Sequence, residues 1–376
     1  MSFRSLGLLP SLLLQLEQLG YTEATPVQQQ AIPAVLSKKD VLGMAQTGSG
    51  KTLGYVLPVL MNITGKPARN RHIQGLVLVP TRELAVQVNT VFRQFCNVLP
   101  QPVKTLAVFG GVSVNPQMIE MQGVQVLVST PGRLIELVEN KAVHLSDIEI
   151  LVLDEADKML NLGFRDEMEQ LFRQMPKVRQ NLLFSATMHE GVQGVVTDLL
   201  HKPVKVSIEN NITVDTDLIQ QRAYAVPPEK KGPLLRKLIQ QHGMKQVLVF
   251  TSSVYQADNV ADKLRKNGIE AEAIHSKKSQ GARTELLNDF KTGKLRVLVA
   301  TDLLSRGIDI QFLPYVINYE LPRSPKDYIH RIGRTGRAEN PGEAISLVAP
   351  DEEHHFGVIQ KKMKKTVTLS DGEVVN

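Results

Sequence analysis

Short runs of β-branched and aliphatic residues recur along this chain, each separated from the next by a stretch with helical spacing. In the first half the runs fall at 75–79, 105–109, 125–129, 149–153 and 181–184. In the second half they fall at 246–250, 271–275, 295–299, 315–319 and 344–348. An unbroken apolar strand must be covered on both faces, and intervening helices supply that cover, so the pattern predicts parallel sheets flanked by helices. The period between strands is helical: Leu84, Val88, Val91, Phe92 and Phe95 follow at i, i+4, i+7, i+8 and i+11. Around 209–228 the rhythm breaks into polar residues and a Pro227-Pro228 pair, and then a fresh strand–helix series begins. The spacing predicts an α/β fold of two domains, 1–206 and 219–376, joined by a linker over 207–218 with room for short pairing segments after it. A chain of 376 residues is long enough for each domain to bury its own core. Ligands of such sheets bind beyond the C-terminal strand ends, so the cleft between the domains is the expected place for chemistry.

Composition narrows the setting. Apolar residues at 42% and charged residues at 22% exclude wholesale disorder. No apolar run approaches the roughly 20 residues that span a bilayer, and the opening Met1-Ser2-Phe3-Arg4-Ser5 does not read as a secretory signal. The single cysteine, Cys96, excludes an intrachain disulfide and a multi-cysteine metal site, so a cytoplasmic location is expected. Cys96 lies on an apolar helix end and reads as packed. With 44 Lys+Arg against 38 Asp+Glu, the net charge of +6 permits a polyanionic partner without establishing one. Lys361, Lys362, Lys364 and Lys365 read as a solvated helix face, with a nucleic-acid contact as the rival, and 370–376 as a polar tail. Glu352-Glu353-His354-His355 offers metal-ligating types, but an exposed helix face is the plainer reading.

The sharpest local signal is Ala45-Gln46-Thr47-Gly48-Ser49-Gly50-Lys51-Thr52, set between the apolar 41–44 and the helical 53–60. Strand, glycine loop and helix in that order make a phosphate cradle: Gly48 and Gly50 let backbone N–H groups point inward, and the helix N-terminus adds its positive dipole end. Lys51 would reach the β- and γ-phosphates, and the Thr52 hydroxyl would take a place on Mg2+. Ala45 stands where the usual pattern has glycine. Asp154 and Glu155 close the run 149–153, at the sheet edge where ligands bind. An Asp there can hold Mg2+ through water, and the adjacent Glu can orient or deprotonate an attacking water. Alone, two acids after a strand are a helix cap and a first-turn charge. Beside the phosphate loop they make a nucleotide-hydrolysis site.

At this point the residues resemble a known family. Asp154-Glu155-Ala156-Asp157 spells the signature of the DEAD-box RNA helicases. The preceding elements also match in order: Phe3, Gly20-Tyr21, Thr25-Pro26 with Gln28, then Pro80-Thr81-Arg82-Glu83-Leu84-Ala85, Gly110-Gly111 and Thr130-Pro131-Gly132-Arg133. Ser185-Ala186-Thr187 follows the acidic motif. The second half supplies Val249-Phe250-Thr251, Gln280 with Arg283, Ala300-Thr301-Asp302, Arg306-Gly307-Ile308-Asp309 and His330-Arg331-Ile332-Gly333-Arg334-Thr335-Gly336-Arg337. Leu6-Gly7-Leu8 and the phrase 108–113 look most like the bacterial RhlE type. Ser276 after His275 and Ser305 before Arg306 stand where the family commonly has Gly and Ala.

The resemblance implies two RecA-like domains with the nucleotide between them, ATP and Mg2+ as cofactors, and RNA as partner. It assigns the adenine to Gln28, whose amide both donates and accepts, with Tyr21 and Thr25 beside the base and Phe3 behind Tyr21 or packed in the core. Gln46, Thr47, Gly48, Ser49, Gly50, Lys51 and Thr52 would hold the phosphates, and Gly307 and Asp309 the ribose. Arg334 and Arg337 would reach the γ-phosphate from the second domain; spaced three apart on a helical turn, they would share one face. Arg82, Gly110, Gly111, Thr130, Arg133, Arg283, Thr301 and Arg306 would grip the sugar–phosphate backbone, which positions without reading sequence. Asp157, Ser185, Thr187 and His330 would couple hydrolysis to that grip, although a structural place at a strand end suits Ser185 and Thr187 as well. The implied activity is ATP-dependent separation of short RNA duplexes. An ATP-gated RNA clamp with little unwinding shares every motif, and a DNA-directed motor is the third reading.

Overall fold

The computed structural model describes residues 2–45, 48–65, 69–207, 219–301, 313–336 and 342–372. The chain divides into two compact units, Met1–Glu209 and Asn210–Asn376. Among the described residues no helix is long and apolar enough to cross a membrane.

In the first unit, strands β1 (Val41–Met44), β2 (Gly75–Leu78), β3 (Thr105–Val108), β4 (Val126–Ser129), β5 (Ile150–Leu153), β6 (Gln180–Ser185) and β7 (Val204–Ser207) form one sheet. Its order is β3-β4-β2-β5-β6-β1-β7, with every pairing parallel. Side chains alternate across a strand, so each strand feeds two cores. Val77, Val126, Val128, Val152, Leu182 and Phe184 join one core with the helices Lys51–Ile63 and Arg82–Cys96. Leu76, Leu78, Leu127, Leu151, Leu153 and Leu183 join the other with the helices Pro131–Glu139 and Arg165–Phe172. This is why the sequence shows continuous apolar runs where a one-faced sheet would alternate.

The second unit repeats the design with β8 (Ile219–Ala225), β9 (Val247–Thr251), β10 (Ala271–Ile274), β11 (Val297–Thr301), β12 (Tyr315–Asn318), β13 (Gly342–Val348) and β14 (Leu369–Asp371). Among the described residues the order is β10-β11-β9-β12-β13-β8-β14, again all parallel. Two differences from the sequence reading stand out. Residues 370 and 371, expected in a polar tail, join Leu369 in pairing with 223–225 of β8 as the outermost strand. An outermost strand has one partner and needs little apolar burial, so its composition does not announce it. The strand expected at 295–299 sits two residues later, which brings Ala300 and Thr301 into the ladder opposite Phe250 and Thr251.

Parallel pairing sends all C-terminal strand ends of a sheet to one edge. The registers Met44↔Ser185, Leu78↔Ser129, Leu78↔Leu153 and Val108↔Ser129 align the ends of β1 to β6. The loops carrying Gly48–Lys51, Arg82, Gly110-Gly111, Thr130, Asp154-Glu155 and Thr187 therefore all leave from the same edge of the first sheet.

Candidate nucleotide-phosphate site

The phosphate loop starts as an extension of the sheet: Ala45 N donates to Ser185 O at 3.0 Å. It then turns through Gly48 and Gly50, both left-handed with φ of 86° and 84°. Only glycine takes this backbone without strain, and it is the geometry in which successive N–H groups converge on an anion. Gly50 is also the N-cap of the helix Lys51–Ile63. Gln28 braces the loop from behind: its Nε2 donates to Gly50 O at 2.9 Å, while its Oε1 accepts from Thr25 N at 2.9 Å. The amide that the resemblance assigns to adenine is thus already tied to the phosphate loop. Tyr21 is 38% exposed and presents a free face, whereas Phe3 is enclosed in the core, as its packing alternative requires.

The centre of the site is a buried carboxylate held from two sides. Asp154 has no exposed surface. Its Oδ1 pairs with Lys51 Nζ at 3.0 Å and its Oδ2 accepts from the Tyr55 hydroxyl at 2.9 Å. Burial opposes the charge on Lys51, but Asp154 and Glu155 outweigh it and hold the ammonium above its ordinary pKa. Burial and then the Asp154 charge push the Tyr55 phenol well above its ordinary value, while a hydrogen bond with the Thr52 side chain works the other way.

Glu155 follows in a left-handed conformation, φ 54° and ψ 47°, at the N-cap of the helix Ala156–Asn161. A non-glycine residue in that region costs energy and persists only where its surroundings fix it. Here Glu155 Oε1 pairs with Lys158 Nζ at 2.8 Å, with both side chains nearly enclosed. Two residues on, Asp157 Oδ2 accepts from Thr187 Oγ1 at 2.8 Å, and Ser185 Oγ donates to Thr187 O at 2.8 Å. Three of the four expected coupling residues therefore meet within the first unit.

The donor set suits a nucleoside polyphosphate with a divalent cation. It combines a cation, a converging N–H loop, a hydroxyl at Thr52 and a fully buried carboxylate. Further along the edge, Arg82 lies against Gly111: a Cβ there would collide with the guanidinium, and Gly111 has φ of 79°. Gln117 clips the preceding turn, accepting from Phe109 N at 3.1 Å and donating to Phe109 O at 3.3 Å. Thr130 caps the helix Pro131–Glu139. Arg133 departs from its expected place in a backbone grip. It is 5% exposed, with Nη2 on Val112 O at 2.7 Å and Nε on Glu136 at 2.9 Å, and so braces the 110–112 loop from inside.

In the second unit Thr301 ends β11, and Arg283 is buried on the helix Gln280–Lys291. His330 lies on the helix Pro325–Ile332. That helix ends before Arg334, whose carbonyl accepts from Leu313 N at 3.1 Å. The helical turn expected around Arg334 is not found there: Arg334 lies in a turn and Thr335 in an isolated bridge with Leu313, and Arg337 lies outside the described residues. Arg331, unassigned by the sequence, is 1% exposed. It donates to Glu320 O at 2.6 Å and Asn318 Oδ1 at 3.1 Å, with its guanidinium 5.0 Å from the Phe250 ring centre. Gln46, Thr47, Arg306, Gly307, Asp309 and Arg337, with nearly all of the 207–218 stretch, lie outside the described residues.

The lesser features resolve simply. Cys96 is buried, and burial raises its thiol pKa. Among the described residues no group of three or more His, Cys, Asp and Glu gathers as a metal cage, at 352–355 or elsewhere. Glu352 is not a solvated helix residue: it pairs with the buried Lys231 Nζ at 2.8 Å. His355 Nε2 contacts Pro322 O at 2.8 Å.

A phosphate loop with a buried Lys–Asp pair, on one of two parallel-sheet units, defines a P-loop nucleotide-binding protein of RecA-like architecture. Comparison with known proteins narrows this. The DEAD/DEAH box helicase family model matches residues 25–195, and the helicase conserved C-terminal domain matches 230–339. The chain is 40% identical over 366 residues to the DEAD-box ATP-dependent RNA helicase CshA of Streptococcus pneumoniae, covering 97% of this chain and 69% of that one. It is 38% identical over 378 residues to RhpA of Helicobacter pylori, covering 100% and 75%. Among solved structures it is similar to Saccharomyces cerevisiae Dbp5 bound to RNA and ADP BeF3, with TM-score 0.85, 30% identity and coverage of 98% and 95%. A DEAD box protein from Methanococcus jannaschii aligns with TM-score 0.53 at 32% identity, covering 98% of each chain. The chain belongs to the DEAD-box ATP-dependent RNA helicases. The finer likeness to the RhlE type rests on the opening residues and 108–113 alone.

Proposed function

We propose that this protein binds and hydrolyses ATP at the first unit's sheet edge and uses the cycle to clamp RNA and separate short duplexes. The observation that carries the reading is the buried Lys51–Asp154 pair at the end of the phosphate loop, with the strained Glu155 beside it. Incoming phosphates draw Lys51 away from Asp154 and are cradled by residues 46–52. Asp154 and Thr52 hold Mg2+, which when bound neutralises phosphate charge. Glu155 orients the attacking water and takes its proton as the water oxygen bonds to the γ-phosphorus and the bridge to the β-phosphate breaks. Gln28 and Tyr21 face the adenine, with Thr25 beside them and Gly307 and Asp309 at the ribose.

The rest of the proposal concerns two domains, 1–206 and 219–376, that close about the linker 207–218. Closure brings Arg334 and Arg337 to the γ-phosphate, where arginine fingers are worth roughly 10³–10⁵ in rate in other NTPases. Arg82, Gly110, Gly111, Thr130, Arg283, Thr301 and Arg306 hold the RNA backbone, with Arg133 as their brace. The Ser185–Thr187–Asp157 chain and His330 couple the two events. Discrimination against DNA comes from 2′-hydroxyl contacts. Cytoplasmic residence belongs to the proposal and is supported by a lone, enclosed cysteine.

Strand displacement tests the reading. A short RNA duplex should separate with ATP and Mg2+, and fail to do so with GTP or with a DNA duplex of the same sequence. ATP hydrolysis with RNA capture but no displacement would replace helicase by clamp, and equal activity on DNA would overturn the choice of partner.

A further inference from the structure

Tyr55 is fully buried yet spends its hydroxyl on the one carboxylate at the centre of the site. It stands four residues after Lys51 on the same helix, so both side chains project from one face and close on Asp154 from opposite oxygens. The two contacts differ in what happens when nucleotide arrives. Lys51 is the group that phosphate would draw off, whereas Tyr55 has no route out: its ring packs on Phe184 at 5.4 Å between centroids. Phe184 in turn fits only because residue 43 is glycine, where a Cβ would strike the Phe184 ring.

A carboxylate turns easily about its terminal bond, which has a broad, two-fold profile. Once Lys51 leaves, the Tyr55 hydroxyl is the contact that keeps Oδ1 aimed where the ammonium had been. It also contacts Thr52. Being neutral, it fixes the carboxylate without cancelling the charge a cation needs. We infer that Tyr55 is a positioning residue that pre-orients Asp154 for the divalent cation accompanying the nucleotide. This inference rests on the reading of Asp154 as a metal-holding residue.

The test is equilibrium binding of a fluorescent ADP analogue to the full chain, in Mg2+ and in EDTA, read as the ratio of the two dissociation constants. Tyr55→Phe keeps the ring and removes only the hydroxyl. It should leave the EDTA constant within about twofold and cut the Mg2+-dependent gain by about tenfold to a hundredfold, the order expected for losing a hydrogen bond to a buried charge. Phe184→Leu keeps the hydroxyl but loosens the packing; it should lower the melting temperature and leave the ratio intact. Asp154→Asn separates the two claims. If Asp154→Asn leaves the Mg2+ gain unchanged, the reading of Asp154 fails and the inference goes with it. If Asp154→Asn abolishes the gain while Tyr55→Phe keeps it within twofold of wild type, Tyr55 alone is refuted. An equal loss from Phe184→Leu would assign the effect to packing and overturn the role of the hydroxyl.

Discussion

Replacing Glu155 with glutamine separates chemistry from scaffolding, because the proposal gives this side chain a catalytic job and the structure shows it holding Lys158. As the proposed base it should contribute the roughly 10²–10⁴ in rate typical of positioned proton transfer, so hydrolysis in Glu155→Gln should fall by about that factor. Its carboxylate is also the partner of Lys158 at 2.8 Å, with the side chains 3% and 8% exposed. Removing one member of a buried pair outright costs about 3–5 kcal/mol. The glutamine oxygen still accepts from the ammonium, so the loss should lie near the 1.5–3 kcal/mol of a charge-assisted hydrogen bond. For a unit of this size each kcal/mol shifts the melting temperature by about 2–4 °C, giving a drop of about 3–12 °C. Adding Lys158→Met removes the stranded charge, and should recover much of the melting temperature and none of the rate. Calorimetry and phosphate release on the single and double variants read the two effects apart. RNA dissociation in ATP should be slower than in wild type, since release waits on turnover. A lowered melting temperature with near-wild-type hydrolysis would make Glu155 a structural partner of Lys158 and refute the reasoning.

Other substitutions follow from the same geometry. Lys51→Ala deletes the phosphate-pairing charge and strands Asp154 on Tyr55 alone, so nucleotide affinity, hydrolysis and stability should all fall, the last by about 3–5 kcal/mol. Isothermal titration and melting curves check this, and unchanged affinity would remove Lys51 from the site. Gln28→Ala should erase the preference for ATP over GTP and CTP in competition titrations. Because Gln28 also ties Gly50, affinity for all three should drop somewhat; wild-type hydrolysis of all three at similar rates would take Gln28 away from the base.

How much of this was legible in the sequence depends on how directly backbone geometry dictates residue type. Gly48 and Gly50 need left-handed backbone that glycine alone takes cheaply, so the phosphate loop reads off the chain. Central strands are buried on both faces and announce themselves as apolar runs. β8 begins Ile219-Gln220-Gln221-Arg222 and does not, because Arg222 is offset by Glu343 on the neighbouring strand at 2.9 Å. Tyr55 sits inside an apolar helix and reads as core, and only coordinates reveal that its hydroxyl reaches a residue 99 positions away. Arg331 carries the opposite lesson. It shares its motif with Arg334 and Arg337, yet its guanidinium is spent inside the second unit. Arg334 is buried as well, so spacing alone does not tell which arginines of the motif are enclosed.

The central claim is that catalysis waits for RNA, because Arg334 and Arg337 belong to the second domain while the proposed phosphate site is on the first. Steady-state phosphate release with saturating ATP and Mg2+, with and without single-stranded RNA, measures this directly. Slow hydrolysis alone and stimulation severalfold or more by RNA, with no such stimulation by single-stranded DNA, is the expected result. Equal rates with and without RNA would contradict the account.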